Sequence, residues 1–341
     1  MTVGHEFGFE LRVCAWAEAC WRPERDGAPR IVARQLGTKR RRWDTIVVEV
    51  DPEGLRQRAQ FGAQRLDADL LHVVRHAPTD WAFYRDALPT PEYPWRYVRE
   101  AVHRASDRGI LETRRDGNKI EIRRAMAYPE WVRRIVAIEN KPDLDASAAD
   151  ALTTQLRRDV ALGLADEVWV ATADDAAGGV QRALLADLPV EAGILVFDDD
   201  WTVTVEWLPH GLATAASGTR LTSRPADGAD RPATGFEYVD ADWKAHTRLA
   251  IAERAFERGW RSYVDTMRPD CRQFRLVDGA HGYVPACAAK AREQSAAECG
   301  GSCADYEPEP PGWRQHGWPI EGGPGATVQA VLADRRQRRR E

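Results

Sequence analysis

No stretch of this chain approaches the ~20 uninterrupted apolar residues that a bilayer-spanning helix needs, so no membrane helix is expected. Residues 1–10 lack a basic segment followed by an apolar run, so no signal peptide is expected and the chain reads as cytoplasmic. Lysine is scarce. Of 48 basic residues only those at 39, 119, 141, 244 and 290 are lysine, which makes Lys141 conspicuous. There is no internal repeat. Neither a glycine-rich phosphate loop nor a nucleophile elbow occurs, which ranks a doubly wound small-molecule enzyme last. The six cysteines are not expected to be disulfides in a reducing compartment, leaving buried thiols or metal ligands.

What is present suffices for a folded protein. The 341 residues are 43% hydrophobic and 30% charged, enough to bury a core and keep a solvated surface. At ~150 residues per domain, two modest domains or one core with insertions are expected. The net charge of -5 and pI of about 6.0 do not argue against DNA binding, because phosphate attraction depends on local patches.

Residues 5–21 carry apolar positions at helical spacing, and Ile31–Gln35 form a short β-like run. A basic turn at Lys39–Arg42 leads into Trp43–Val50, whose β-branched residues read as a strand. Leu55–Arg75 and Trp81–Leu88 read as helices. A patterned helix runs from Trp95 to Arg108 and is stopped by Gly109. Ile110–Arg115 and Lys119–Arg124 flank Asp116-Gly117-Asn118, a hairpin signal. Ile135–Glu139 is a short apolar run ending in charge, as a buried strand would. A helix to about Leu164, a strand at 167–172, a helix at 176–186 and strands at 192–197 and 202–207 follow. Asp198-Asp199-Asp200 reads as a hairpin turn.

The arrangement that carries chemistry is distributed. Asp44 starts one apolar strand, while Glu139 and Lys141 end another, two residues apart and therefore on one face. Gln155 lies on the following helix. Two carboxylates, a backbone carbonyl and waters suit magnesium or manganese. Such an ion polarises a phosphodiester and acidifies water, and Lys141 beside it would offset developing charge. The plain structural reading of the same residues is a strand start and a solvated strand edge.

The order helix, strand with Asp, strand with Glu-x-Lys, helix with Gln, strand is similar to the PD-(D/E)XK nuclease superfamily, over roughly residues 5–51 and 130–207. The resemblance implies an α/β fold with a restriction-endonuclease-like αβββαβ core and metal-dependent DNA cleavage by Asp44, Glu139 and Lys141. It places the first-helix acidic residue on Glu10, or second on Glu6. Trp43 precedes Asp44 where the family usually has proline. The wide gap between Asp44 and Glu139 requires residues 53–126 to be an insertion; otherwise Asp116 or Glu121 would supply the missing carboxylate.

That insertion independently resembles a winged helix. Arg96, Arg99, Arg104 and Arg108 lie on its last helix, and Arg114, Arg115, Lys119, Arg123 and Arg124 flank the hairpin tip. In such a module the helix enters the major groove and the wing touches phosphates. A solvated charged face is the bland alternative. Cys271, Cys287, Cys299 and Cys303 would make a four-thiolate zinc site. Some relatives clamp an iron–sulfur cluster with C-terminal cysteines and one N-terminal ligand, which would involve Cys14 or Cys20. His281 and His316 are weaker ligand candidates.

The expected organisation is a discontinuous core at 1–52 and 127–210, the insertion at 53–126 and a linker at 211–240. A helical segment with the four cysteines at 241–325 and a basic tail at 326–341 follow. The expected function is magnesium-dependent hydrolysis of DNA, with a non-catalytic DNA-binding regulator or scaffold on an inactive nuclease-like fold as the competing reading.

Overall fold

The computed structural model describes residues 6–21, 29–91, 93–144, 146–174, 187–223, 235–260, 271, 273–279, 282–293 and 303–307. They divide into two compact units, residues 6–49 with 134–307 and residues 50–133. The elements in chain order are α1 (Glu6–Cys20), β1 (Arg30–Gly37), β2 (Arg42–Val50), α2 (Pro52–Ala59), α3 (Ala68–His76), β3 (Ala82–Phe83), α4 (Tyr84–Ala87) and α5 (Trp95–Asp107). Next come β4 (Leu111–Asp116), β5 (Lys119–Arg124), β6 (Val132–Asn140), α6 (Ala146–Leu162), β7 (Glu167–Ala173), β8 (Ala192–Phe197) and β9 (Val203–Trp207). The last are β10 (Gly218–Ser223), β11 (Gly235–Val239), α7 (Ala241–Arg258), β12 (Phe274–Gly279), β13 (Gly282–Cys287) and β14 (Arg292–Glu293). The protein is of mixed α/β class.

The first unit is built on a six-stranded mixed sheet in the order β1-β2-β6-β7-β8-β9. β1 and β2 form an antiparallel hairpin, β6, β7 and β8 run parallel, and β9 turns back antiparallel to β8. A parallel pair requires a crossover, and α6 supplies the one between β6 and β7. The central strands are covered on both faces, so their sequences are near-continuous apolar runs rather than alternating ones. Ile135 to Ile138 and Ile46 to Val48 are all almost completely buried.

Strand alternation decides which side chains meet which helix. Val47, Val136 and Ile138 share a core cluster with Leu11, Val13 and Cys14 of α1, so those positions face α1. An aromatic set closes the same layer, with Trp16, Phe9 and Trp201 ringing Phe197 at centroid distances of 5.3, 5.6 and 5.7 Å. By the period of two, Asp44 and Glu139 lie on the opposite face, toward α6.

In the second unit α5 buries Val98, Ala101, Val102 and Ala105, a single stripe at helical spacing. β4 and β5 form the hairpin expected around Gly117, whose φ of 57° suits a two-residue turn with glycine at its first position. β3 adds to the β5 side, giving the order β3-β5-β4.

Several sequence expectations need correction. Residues 55–75 are two helices rather than one. Gly62 takes a φ of 96°, and Asp67 caps α3 by accepting from Leu70 N at 3.0 Å. Residues 81–88 begin as a strand, because Ala82 and Phe83 pair with Ile122 and Glu121, leaving only the single turn of α4. The segment 211–240 is not a plain linker: β10 and β11 form an antiparallel ribbon tied by the Arg220–Glu237 ion pair at 2.9 Å. The segment after α7 is not simply helical either, because β12, β13 and β14 make a three-stranded sheet around residues 274–293. α7 itself ends at Arg258, where Gly259 leaves the helix with a φ of 59°. The helix expected at 176–186, the proline- and glycine-rich stretch after 307 and the basic tail lie outside the described residues.

Candidate active site

The site forms at the ends of β2 and β6 where they leave the sheet. Asp44 Oδ2 accepts the backbone N–H of Asn140 at 2.9 Å, which pins the start of β2 to the end of β6. Beneath this pair, Asn140 Nδ2 donates to Thr45 Oγ1 at 3.0 Å, and Thr45 Oγ1 lies 3.3 Å from the Cys14 thiol of α1. Lys141 N bonds Ala171 O at 2.8 Å, continuing the β6–β7 ladder past the last residue of β6. Glu139 and Lys141 are thereby held in register, on the face that Gln155 of α6 overlooks.

Glu139 is only 3% exposed, and both of its oxygens are engaged. Oε1 accepts from Arg41 Nη2 at 2.7 Å and Oε2 from Gln155 Nε2 at 3.2 Å. Burial, and then the Asp44 carboxylate, push the Glu139 pKa up to about 8 against the pull of Arg41. Glu10 projects from α1 toward the same region and is raised first by burial, with Asp44 adding to the rise. One amide links these two carboxylates: Gln35 Nε2 lies 3.1 Å from both Glu10 Oε1 and Asp44 Oδ1. Lys141 is half-buried, and its Nζ lies 3.2 Å from Glu6 Oε1. Its pKa is raised: burial lowers it, but Glu6, Asp44 and Glu139 together outweigh that effect. Glu6 is largely exposed, so this ion pair is weak and free to exchange.

Of the sequence candidates, Asp44, Glu139, Lys141, Gln155 and Glu10 are all drawn into this one neighbourhood. Sequence reasoning missed three donors. Arg34 Nε holds Glu10 at 2.9 Å. Gln35 adopts a φ of 52°, uncommon for a non-glycine residue, directly opposite Asp44 in the β1–β2 register. Arg41 reaches back from the β1–β2 turn to Glu139 and forks onto Asp159 of α6 at 2.7 and 2.6 Å. The turn is set by Gly37, where a Cβ would fall 2.2 Å from Arg41 O, and by Thr38 N donating to that same carbonyl at 2.6 Å.

The carboxylates are hard oxygen donors, and each retains lone pairs beyond those its protein partners use. Among the described residues no three His, Cys, Asp or Glu side chains form a metal-binding group. Asp44 and Glu139 supply two carboxylates, and magnesium accepts one or two such ligands alongside carbonyls and waters. Cys271, Cys287 and Cys303 are free thiols and make no such group, while Cys299 lies outside the described residues. Cys14 is buried in the core, where loss of solvation raises its pKa. His281 and His316 also lie outside the described residues.

On the second unit the basic residues divide by what they already hold. Arg104 bonds Asp67 at 2.5 Å, and Arg108 donates to the Phe61 and Gln64 carbonyls at 2.8 and 3.2 Å, so both brace the fold. Arg114 pairs with Glu121 at 2.7 Å and Arg123 with Glu112, and their guanidiniums lie 4.5 and 4.9 Å from the Trp81 ring. Lys119 lies 5.3 Å from the Phe83 ring. Arg99, Arg115 and Lys119 are exposed. Asp116 is an exposed residue of the hairpin, and Glu121 accepts from Arg114 Nε at 2.7 Å.

A family model described as a family of unknown function (DUF5787) matches residues 31–308, and the chain belongs to that family. Neither a search of curated proteins nor one of solved structures returned a match.

Proposed function

We propose that the protein is a metal-dependent nuclease that hydrolyses DNA phosphodiesters, with its site at Asp44, Glu139 and Lys141. The observation that carries this reading is the convergence of Glu10, Asp44, Glu139 and Lys141 at the ends of β2 and β6. The order α1-β1-β2-β6-α6-β7 then supports a restriction-endonuclease-like core with residues 50–133 inserted. Asp44 and Glu139 would hold magnesium or manganese, which supplies charge that polarises the phosphate and acidifies water. Lys141, kept protonated by its carboxylate neighbours, would neutralise charge on the phosphate and orient a water. Gln155 holds Glu139, and Glu10 adds negative charge beside Asp44.

The inserted unit supports a winged-helix reading through its sequence α3-β3-α4-α5-β4-β5 and the addition of β3 to the hairpin. Arg99, Arg115 and Lys119 are its exposed cations for phosphate contact. A competing reading, DNA binding without cleavage, is favoured by one observation: both Glu139 oxygens already have protein donors. A plasmid-nicking assay in magnesium separates the two. The nuclease reading expects cleavage by the wild type and a loss of about 10²–10³-fold in Lys141→Ala. Salt-sensitive duplex binding that Glu139→Ala leaves intact, with no nicking by either protein, would establish the non-catalytic reading instead.

A further inference from the structure

The β1–β2 hairpin contributes a donor to every carboxylate of the candidate site. Arg34 serves Glu10 at 2.9 Å, Gln35 serves Glu10 and Asp44 at 3.1 Å each, and Arg41 serves Glu139 at 2.7 Å. Arg41 is itself immobilised by its two-point fork onto Asp159, and its side chain is only 13% exposed. A fork of this kind fixes direction as well as distance. Gln35 makes its double contact from a backbone φ of 52°, a conformation kept by a non-glycine residue only where its surroundings impose it.

We propose that this hairpin is a positioning element for the cation site, with Gln35 and Arg41 aiming Asp44 and Glu139 at one divalent ion and Arg34 holding Glu10 beside them. The inference rests on the metal-dependent reading above. Because one Gln35 nitrogen binds both Glu10 and Asp44, it sets the separation of those two carboxylates. Arg41 and Gln155 take one oxygen each of Glu139 and so fix the rotation of that carboxylate. Carboxylates already held in place lose little freedom when the ion arrives, which strengthens binding without adding a ligand. A merely structural role would have the same donors doing no more than satisfying buried acceptors.

The discriminating variant is Gln35→Gly in the full chain, because glycine accepts the positive φ while removing the donor. Mn2+ affinity is read from loss of the free-ion electron paramagnetic resonance signal, alongside the melting temperature of the metal-free protein. A positioning role predicts an unchanged or raised melting temperature with Mn2+ binding at least tenfold weaker. Arg41→Lys, which keeps the charge and loses the fork, is expected to weaken Mn2+ comparably. If the wild type binds Mn2+ and both variants bind it as tightly, the positioning inference is overturned while the metal site stands. A fall in stability that accompanies the loss of affinity in Gln35→Gly also overturns it, by assigning Gln35 a structural role. Failure of the wild type itself to bind Mn2+ removes the metal site, and the inference with it.

Discussion

Replacing Glu139 with glutamine should stabilise the metal-free protein at alkaline pH while abolishing its response to magnesium. Burial and Asp44 raise the Glu139 pKa from 4.5 to about 8 in the folded protein. Between those values the native state holds a proton that the unfolded chain has lost, so stability falls as pH rises through that window and levels off above it. At 1.36 kcal/mol per unit the full effect has a ceiling of about 5 kcal/mol. Relaxation and water entry on ionisation bring the realised cost to about 2 kcal/mol. Glutamine keeps a carbonyl to accept from Arg41 and carries no charge, so this slope disappears. Glu10 and Asp159 are raised chiefly by burial and tilt the curve in the same direction, so the quantity to read is the wild-type slope minus the variant slope. The melting temperature in chelator should fall between pH 5.5 and 8.5 by ~4–8 °C more in the wild type than in the variant. Added Mg2+ should restore the wild type at pH 8.5 by mass action and leave the variant unmoved. Equal slopes in the two proteins, or equal Mg2+ stabilisation, would refute the assignment of Glu139 as a strained, cation-facing carboxylate.

Other tests address the scaffold and the second unit. Gly193→Ala should destabilise the sheet by about 1–3 kcal/mol, since a Cβ there would fall 2.4 Å from the Trp169 ring; urea melts would show it. Arg58→Met should cost the second unit about 2–4 kcal/mol, because the fully buried guanidinium donates to the Gly62 and Gln64 carbonyls at 3.0 Å each; thermal unfolding measures this. The double variant Arg99→Ala/Arg115→Ala should weaken duplex binding and lower the slope of log K against log salt by about 1 per lost phosphate contact, read by anisotropy across a salt series. Arg104→Ala should instead lower the melting temperature with little change in that slope, because its partner is Asp67.

The main architecture was legible where hydrophobic pattern and turn chemistry agree. β2, β6, β7 and β8 are apolar runs of strand length, and α5 carries a clean helical stripe closed by glycine. Elements were lost where tertiary pairing overrides local preference. Ala82 and Phe83 read as helix until Ile122 and Glu121 are there to pair with them, and nothing local distinguishes them from the helical residues that follow. The ribbon of β10 and β11 hides in a segment whose small and polar residues suggest a linker. What holds it is Gly218, where a Cβ would fall 2.2 Å from Leu162 O, and a cross-strand ion pair, both of which are long-range facts.

The site was legible to the same depth and no further, for a related reason. Asp44, Glu139, Lys141 and Gln155 sit on the regular elements, so period and strand direction are enough to put them on one face. Arg41 and Gln35 cannot be found that way. Arg41 belongs to a basic turn, where arginine usually means a solvated corner, and its partners Glu139 and Asp159 are distant in sequence. Gln35 sits in a short strand, and only its positive φ and its place opposite Asp44 reveal a strained residue beside the candidate active site. The one sequence signal for either is indirect: burying Glu139 and Asp159 on one face demands a cation. In a chain this poor in lysine that cation would be expected to be arginine, and the β1–β2 turn is the arginine-rich loop adjoining the start of β2.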